Sequence, residues 1–115
     1  MKSLVKSFEF AINGFWVALK EQRNLRIHLF ISTLVLVVAY LLKISFLEFS
    51  ILLLCIGLVI SLELVNSSIE GLVDLVSPKK KELAGKVKDI SASAVLVAAV
   101  VASLVGIIIL GSHLL

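Results

Sequence analysis

FSILLLCIGLVISLELVNSSIEGLVDLV, residues 49–76, reads as one helix with two solvents. Its first half, Phe49 to Leu62, contains no Asp, Glu, Lys or Arg, as expected of most of a membrane crossing. From Glu63 the apolar pattern continues while polar residues begin to recur. Glu63, Asn66, Glu70 and Asp74 are three, four and four residues apart, so at about 100° per residue they share a narrow sector of one helix face, with Ser67 at its edge. At about 1.5 Å per residue the stripe is roughly 16 Å long, running outward from the apolar region at Glu63 to the following loop at Asp74. The span is placed at about residues 48–74.

Outward from this segment, two more crossings are legible. IHLFISTLVLVVAYLL, residues 27–42, is free of Asp, Glu, Lys and Arg and anchors a span at about 27–44. Ile90 to Leu115 is equally free of them, and SAVLVAAVVASLVGIIIL, residues 93–110, is rich in small residues that permit close helix contacts, giving a span at about 89–112. Ahead of these, Leu4, Val5, Phe8, Ile12, Phe15, Trp16 and Leu19 recur at helical spacing, with Lys2, Lys6, Glu9, Asn13 and Lys20 on the other side. An amphipathic helix of this kind, at about residues 3–21, lies in the interface with Trp16 at headgroup depth, either as an anchor or as a lid over a site at the membrane surface. The composition agrees: of 115 residues, 60% are hydrophobic and 17% charged, with a mean hydropathy of +1.15. The expected fold is an all-α membrane protein in one domain, residues 1–115, with a surface helix and three transmembrane helices. This length leaves no room for a Rossmann or protein-kinase catalytic domain. Cys55, the one cysteine, rules out an intrachain disulfide and a cysteine-based zinc site. No small-residue cleavage site follows the first apolar run, which begins late for a secretory signal peptide.

Charge sets the expected orientation, because Lys and Arg resist translocation. Lys2, Lys6, Lys20, Arg23 and Arg26 precede the first span, Lys79, Lys80, Lys81, Lys86 and Lys88 lie between the second and third, and only Lys43 remains of the eleven basic residues. The N-terminus and the loop from Ser77 to Asp89 are therefore expected in the cytoplasm and the C-terminus outside.

A lone carboxylate inside a membrane helix costs a few kcal/mol or more, so three with an asparagine on one stripe read as a functional site. The alternatives are a solvated face on a cytoplasmic helix extension, which fits Asp74 better than Glu63, or interhelical hydrogen bonds between subunits. Closely spaced carboxylates facing the cytosol suit Mg²⁺, which takes one or two of them and completes its shell with water and substrate phosphates. The lysines across the short loop suit phosphate oxygens beside such a metal, although lysines flanking a span also serve as topology determinants and headgroup partners. Lys88 and Asp89 stand directly before the third span and are expected to be fixed at a helix start. Glu63, the deepest carboxylate, is placed to take a proton from a hydroxyl arriving from the lipid side. Together these features describe phosphoryl transfer from a water-soluble donor to a lipid alcohol.

The segments ELVNSSIEGLVDLVSP, residues 63–78, and ELAGKVKDISASAVLVAA, residues 82–99, resemble the prokaryotic diacylglycerol kinase and undecaprenol kinase family. The pattern is Glu63, Asn66, Ser67, Ser68, Ile69, Glu70, Val73 and Asp74, followed by Ala84-Gly85 and Lys88-Asp89, and the likeness extends to the RNLRIHL stretch and the three-span plan. The resemblance implies a homotrimeric helical bundle in the bacterial inner membrane, using ATP and Mg²⁺ on diacylglycerol or undecaprenol, with active sites shared between subunits and no nucleic acid partner. It further implies Glu63 as general base and Glu70 as magnesium ligand. Asn66, Asp74, Lys88 and Asp89 become nucleotide-binding residues, joined by Lys79, Lys80 and Lys81 of the loop and by Lys6 of the surface helix. Many members carry a second metal-binding glutamate six residues before the histidine of the RIH stretch. Here that position is Gln22, which offers a carbonyl oxygen without charge, with Glu21 adjacent.

His28 and His113 are candidate ligands or proton carriers, but each sits alone near a span end, so both are expected to be hydrogen-bonded interfacial histidines. A competing reading is a small oligomeric proton- or ion-conducting subunit that titrates Glu63, which leaves Asn66, Glu70, Asp74 and Lys88-Asp89 without a role. A purely structural membrane adaptor is the third. Three spans are also too few to enclose a nucleotide and a lipid headgroup, so oligomerisation is expected, with Ala92, Ser93, Ala94, Ala98, Ala99, Ala102, Ser103 and Gly106 as close-packing surfaces.

Overall fold

A computed structural model describes residues 2–79 and 81–115, and Lys80, one of the expected phosphate ligands, lies outside the described residues. The chain forms four helices: α1 (Lys2–Glu21), α2 (Arg23–Leu41), α3 (Phe46–Val76) and α4 (Glu82–Leu114). The last three are long and apolar enough to cross a membrane. The helix that holds the segment placed at about 89–112 starts earlier, at Glu82. Glu82 through Asp89, Gly85 apart, are good or tolerable helix formers without a proline, and the single Pro78 confines the break to its own neighbourhood.

Length explains how one helix serves two solvents. The 31 residues of α3 make a rod of about 46 Å against a hydrocarbon core of about 30 Å. The surplus turns carry Glu70 and Asp74 beyond the apolar stretch. α4, with 33 residues, runs the same distance alongside α3, and α2 packs on both.

Local chemistry fixes the helix ends. Between α1 and α2 a single residue, Gln22, adopts an extended conformation, and the Arg26 guanidinium reaches back to donate to the carbonyls of Leu19 and Lys20 at 2.8 and 2.9 Å. Those carbonyls would otherwise be orphaned at the end of α1. α2 closes in a Schellman turn: Lys43 N–H donates to Tyr40 O, Ile44 N–H donates to Ala39 O, and Ile44 packs against the cluster of Ala39, Leu52 and Ile109. α3 then opens on a capping box, in which Ser45 Oγ accepts from the Glu48 amide while the Glu48 carboxylate accepts from the Ser45 amide. The same carboxylate oxygen lies 2.8 Å from Nε2 of His113, which ties the start of α3 to the end of α4.

Lys43 holds a φ of 55°, the left-handed conformation that this turn requires and that a side chain disfavours. Replacing Lys43 with glycine is expected to stabilise the fold by about 1 kcal/mol. A thermal unfolding series in detergent micelles that placed K43G below the wild type would contradict this assignment of strain.

Among the described residues the interior is small. Seven hydrophobic side chains are buried, Leu25 and Ala39 completely, and the two buried polar residues are Glu63 and Asn66. Large apolar side chains cover much of the remaining surface of α2, α3 and α4, which is the surface that three spans present to acyl chains or to further copies.

Candidate functional site

The polar stripe of α3 turns inward at its deep end and outward at its shallow end. Glu63 is 2% exposed and Asn66 7%, Glu70 is half-buried, and Asp74 is exposed. Helical periodicity alone put these side chains on one ridge. Packing of α2 and α4 decides that the first half of the ridge faces the interior.

Three polar contacts organise it. The Asn66 amide donates to Glu70 Oε1 at 2.8 Å, a bond between residues four apart that fixes both side chains. The other side of that amide, Asn66 Oδ1, is buried and has no hydrogen-bond partner. Such an orphan is costly unless another group supplies a positive charge or a donor. Asp74 pairs with Lys88 across the α3–α4 interface, where both side chains are partly open to solvent. Lys88 was expected at a helix start beside Asp89. It instead lies in the second turn of α4, and its partner is Asp74 on the neighbouring helix.

The third contact was not anticipated. His28 on α2 was read as an interfacial histidine, but its Nε2 stands 3.5 Å from Glu63 Oε2. The spacing within α2 and the spacing within α3 each carry no sign of this pairing, which arises only when the two helices cross. His113, in contrast, has the hydrogen-bonded position at a span end expected of it, against Glu48.

Two cavities flank the ridge. One, of about 550 Å³, is predominantly apolar and lies between α2, α3 and α4, with His28, Ser32, Cys55 and Val59 among its lining residues and Leu114 at its far end. The other, of about 430 Å³, lies where α1 and the α1–α2 junction meet α3, and Glu21, Gln22, Ser67 and Ser68 line it. Gln22 therefore sits beside the serines of α3, half-buried, and does not join a ready-made carboxylate cluster. Lys6, Lys79, Lys81 and Asp89 are exposed, on α1, in the α3–α4 loop and on α4 respectively.

Among the described residues no three His, Cys, Asp or Glu side chains gather tightly enough to hold a metal on their own. The donors present nevertheless fit a hard cation that arrives on phosphate oxygens: one fixed carboxylate, Glu70, next to an unpartnered amide oxygen, Asn66 Oδ1. A cation of that kind keeps several waters and shares its shell with a substrate, so it does not require a closed cage of protein ligands. The ridge thus carries an enclosed carboxylate, a second carboxylate fixed by Asn66 two turns along, and a cationic side chain at its exposed end.

The sequence model of the prokaryotic diacylglycerol kinase family matches residues 9–110. An undecaprenol kinase of Bacillus subtilis is 39% identical over 104 residues, covering 90% of this chain and 85% of that protein. A diacylglycerol kinase of Synechocystis is 42% identical over 105 residues, which are 90% of this chain and 60% of that protein. A diacylglycerol kinase of Haemophilus influenzae is 26% identical over 102 residues, covering 89% and 86% of the two chains.

Proposed function

The chain belongs to the prokaryotic diacylglycerol kinase family and is a membrane lipid kinase, and from that premise we propose that it moves the γ-phosphoryl group of ATP onto diacylglycerol or undecaprenol at the cytoplasmic face of the membrane. The observation that carries this reading is the burial of Glu63 at the hydrocarbon end of a polar ridge whose other end opens to solvent. A lipid hydroxyl and a nucleotide approach such a ridge from opposite ends.

In this mechanism Glu63 is the general base. Its carboxylate takes the hydroxyl proton as the acceptor oxygen attacks the γ-phosphorus, and its exclusion from water keeps it from spending that basicity on solvent. Asn66 holds Glu70 in place, and Glu70 with Asn66 Oδ1 forms the foothold for Mg²⁺. The ion held there would supply charge neutralisation to the transferring phosphoryl group. Lys88 adds a positive charge at the mouth, Asp74 orients Lys88, and Asp89, Lys79, Lys80, Lys81 and Lys6 border the triphosphate from α4, the loop and α1. Gln22 or its neighbour Glu21, at the α1–α2 junction, would be a further protein oxygen offered to the metal. α1 rests on the cytoplasmic leaflet, its exposed Leu4, Val5, Phe8, Ile12 and Trp16 in the interface. Ten of the eleven basic residues then lie on the cytoplasmic side, the C-terminus lies outside, and the membrane is the bacterial inner membrane. A single chain 20 Å thin with so small an interior does not enclose both substrates, so further copies are needed, and the family resemblance makes that assembly a homotrimer with sites shared between subunits.

Purified protein in mixed micelles, supplied with [γ-³²P]ATP and Mg²⁺, tests this directly against diacylglycerol and undecaprenol. Label appearing in either lipid is the expected result, and label in neither at saturating Mg²⁺ would refute it. The metal foothold has its own test. Because Asn66 both orients Glu70 and lends its own Oδ1, N66A is expected to raise the Mg²⁺ concentration for half-maximal activity by about 10- to 100-fold or more. An unchanged Mg²⁺ dependence would remove Asn66 from the metal site.

A further inference from the structure

Every transfer from ATP to an alcohol liberates one proton. On the reading above, the acceptor O–H bond breaks and its proton passes to the Glu63 carboxylate, while the acceptor oxygen bonds to the γ-phosphorus. The bond from that phosphorus to the β-phosphate oxygen breaks, and its electron pair leaves with ADP. The enzyme is then left with a protonated Glu63 that is 2% exposed, and the next turnover requires that proton to leave.

Around Glu63 the possible exits are few. The serine beside it, Ser67, donates its hydroxyl to the Glu63 backbone carbonyl and not to the carboxylate. Asn66 is bonded to Glu70. From α4, the residues lining the adjacent cavity, Ala99, Ala102 and Ser103, carry no charge. On α2, Arg26 is committed to the carbonyls that end α1, and Glu21 at the end of α1 lines the other cavity. On α3 the nearest other charge is Glu70, two turns away. Within ion-pair range stands His28, whose Nε2 is 3.5 Å from Glu63 Oε2 and whose side chain remains 25% exposed where Glu63 is not. His28 also lines the apolar cavity, so its ring borders both the base and the space open to a lipid acceptor.

We propose that His28 is a positioning and proton-relay residue that acts through Glu63. This rests on the lipid kinase reading and extends it. In the resting site, the imidazole holds Glu63 Oε2 and thereby aims the other carboxylate oxygen at the acceptor hydroxyl. After transfer, the proton moves from Glu63 to the imidazole, which becomes imidazolium and gives a proton to water at its exposed edge. An imidazole is suited to this because its ordinary titration range lies near neutrality, so it both takes and releases a proton without a large penalty.

The test uses the full-length enzyme in the same micelles, with whichever of diacylglycerol and undecaprenol the wild type phosphorylates. H28Q keeps a hydrogen-bonding side chain but cannot titrate, and it is expected to lower kcat about 10-fold or more with KM for ATP within about twofold. Its pH–rate profile loses the limb that His28 contributes. H28A is expected to regain part of its kcat when imidazole is added to the buffer, whereas E63Q regains none. Wild-type kcat and pH profile in H28Q would overturn the relay, as would an H28A defect indifferent to imidazole. A wild type that phosphorylates neither alcohol overturns the kinase reading and the relay with it, so the two failures are distinguishable.

Discussion

E63Q is expected to lose about 10² or more in kcat while retaining its fold and its affinity for ATP·Mg²⁺. The substitution keeps the size and shape of a side chain that is almost wholly enclosed and removes only its ability to take a proton. Removing an enclosed carboxylate does not weaken a helical membrane protein by itself, so the melting temperature in detergent is expected to match or exceed that of the wild type. Nucleotide binding, which on the proposed mechanism depends on Glu70, Asn66 and the basic residues toward the mouth, is expected to persist when measured by equilibrium titration. A variant that turned over near the wild-type rate would remove Glu63 from the chemistry. A proton-conducting subunit makes a different prediction: Glu63-dependent proton flux across liposomes without ATP consumption. Phosphate transfer and proton flux measured on the same preparation of wild type and E63Q separate the two.

How much of this was legible beforehand depends on whether the signal is local. The three crossings follow from runs without charged residues, and α3 in particular follows from the change at Glu63 from an apolar run to a stripe of period 3.6. The start of α4 was less legible because a charged stretch, Glu82 to Asp89, reads as loop when the eye is set for hydropathy, although only Gly85 in it strongly disfavours a helix. On the candidate site, the spacing of Glu63, Asn66, Glu70 and Asp74 shows a shared face. It does not show which neighbour covers that face, and so the enclosure of Glu63 and the exposure of Asp74 were open until the helices were packed. His28 illustrates the same limit. Thirty-five positions separate it from Glu63, and no short-range pattern links them. The pairing of Lys88 with Asp74 belongs with the helical start at Glu82, since the turns from there carry Lys88 alongside the end of α3.

That last pairing carries the second large effect. K88A is expected to lower kcat by about 10² to 10³, the range for removing one fixed positive group from a developing anionic centre. The Asp74–Lys88 contact itself is a partly exposed ion pair, and such pairs contribute little to stability, so a stabilising role predicts almost no phenotype for K88A beyond a small change in melting temperature. The double exchange D74K/K88D distinguishes the roles. It restores opposite charges at the same two positions and therefore rescues whatever the pair does for packing. It does not restore a cation on α4 facing the nucleotide, nor the acid on α3 that orients it. If Lys88 serves the triphosphate, the exchanged enzyme is expected to remain at least 10²-fold impaired with a raised KM for ATP. Recovery of wild-type turnover in the exchanged enzyme would mean that the two residues merely join α3 to α4, and the cationic side of the site would then have to be sought among the loop lysines.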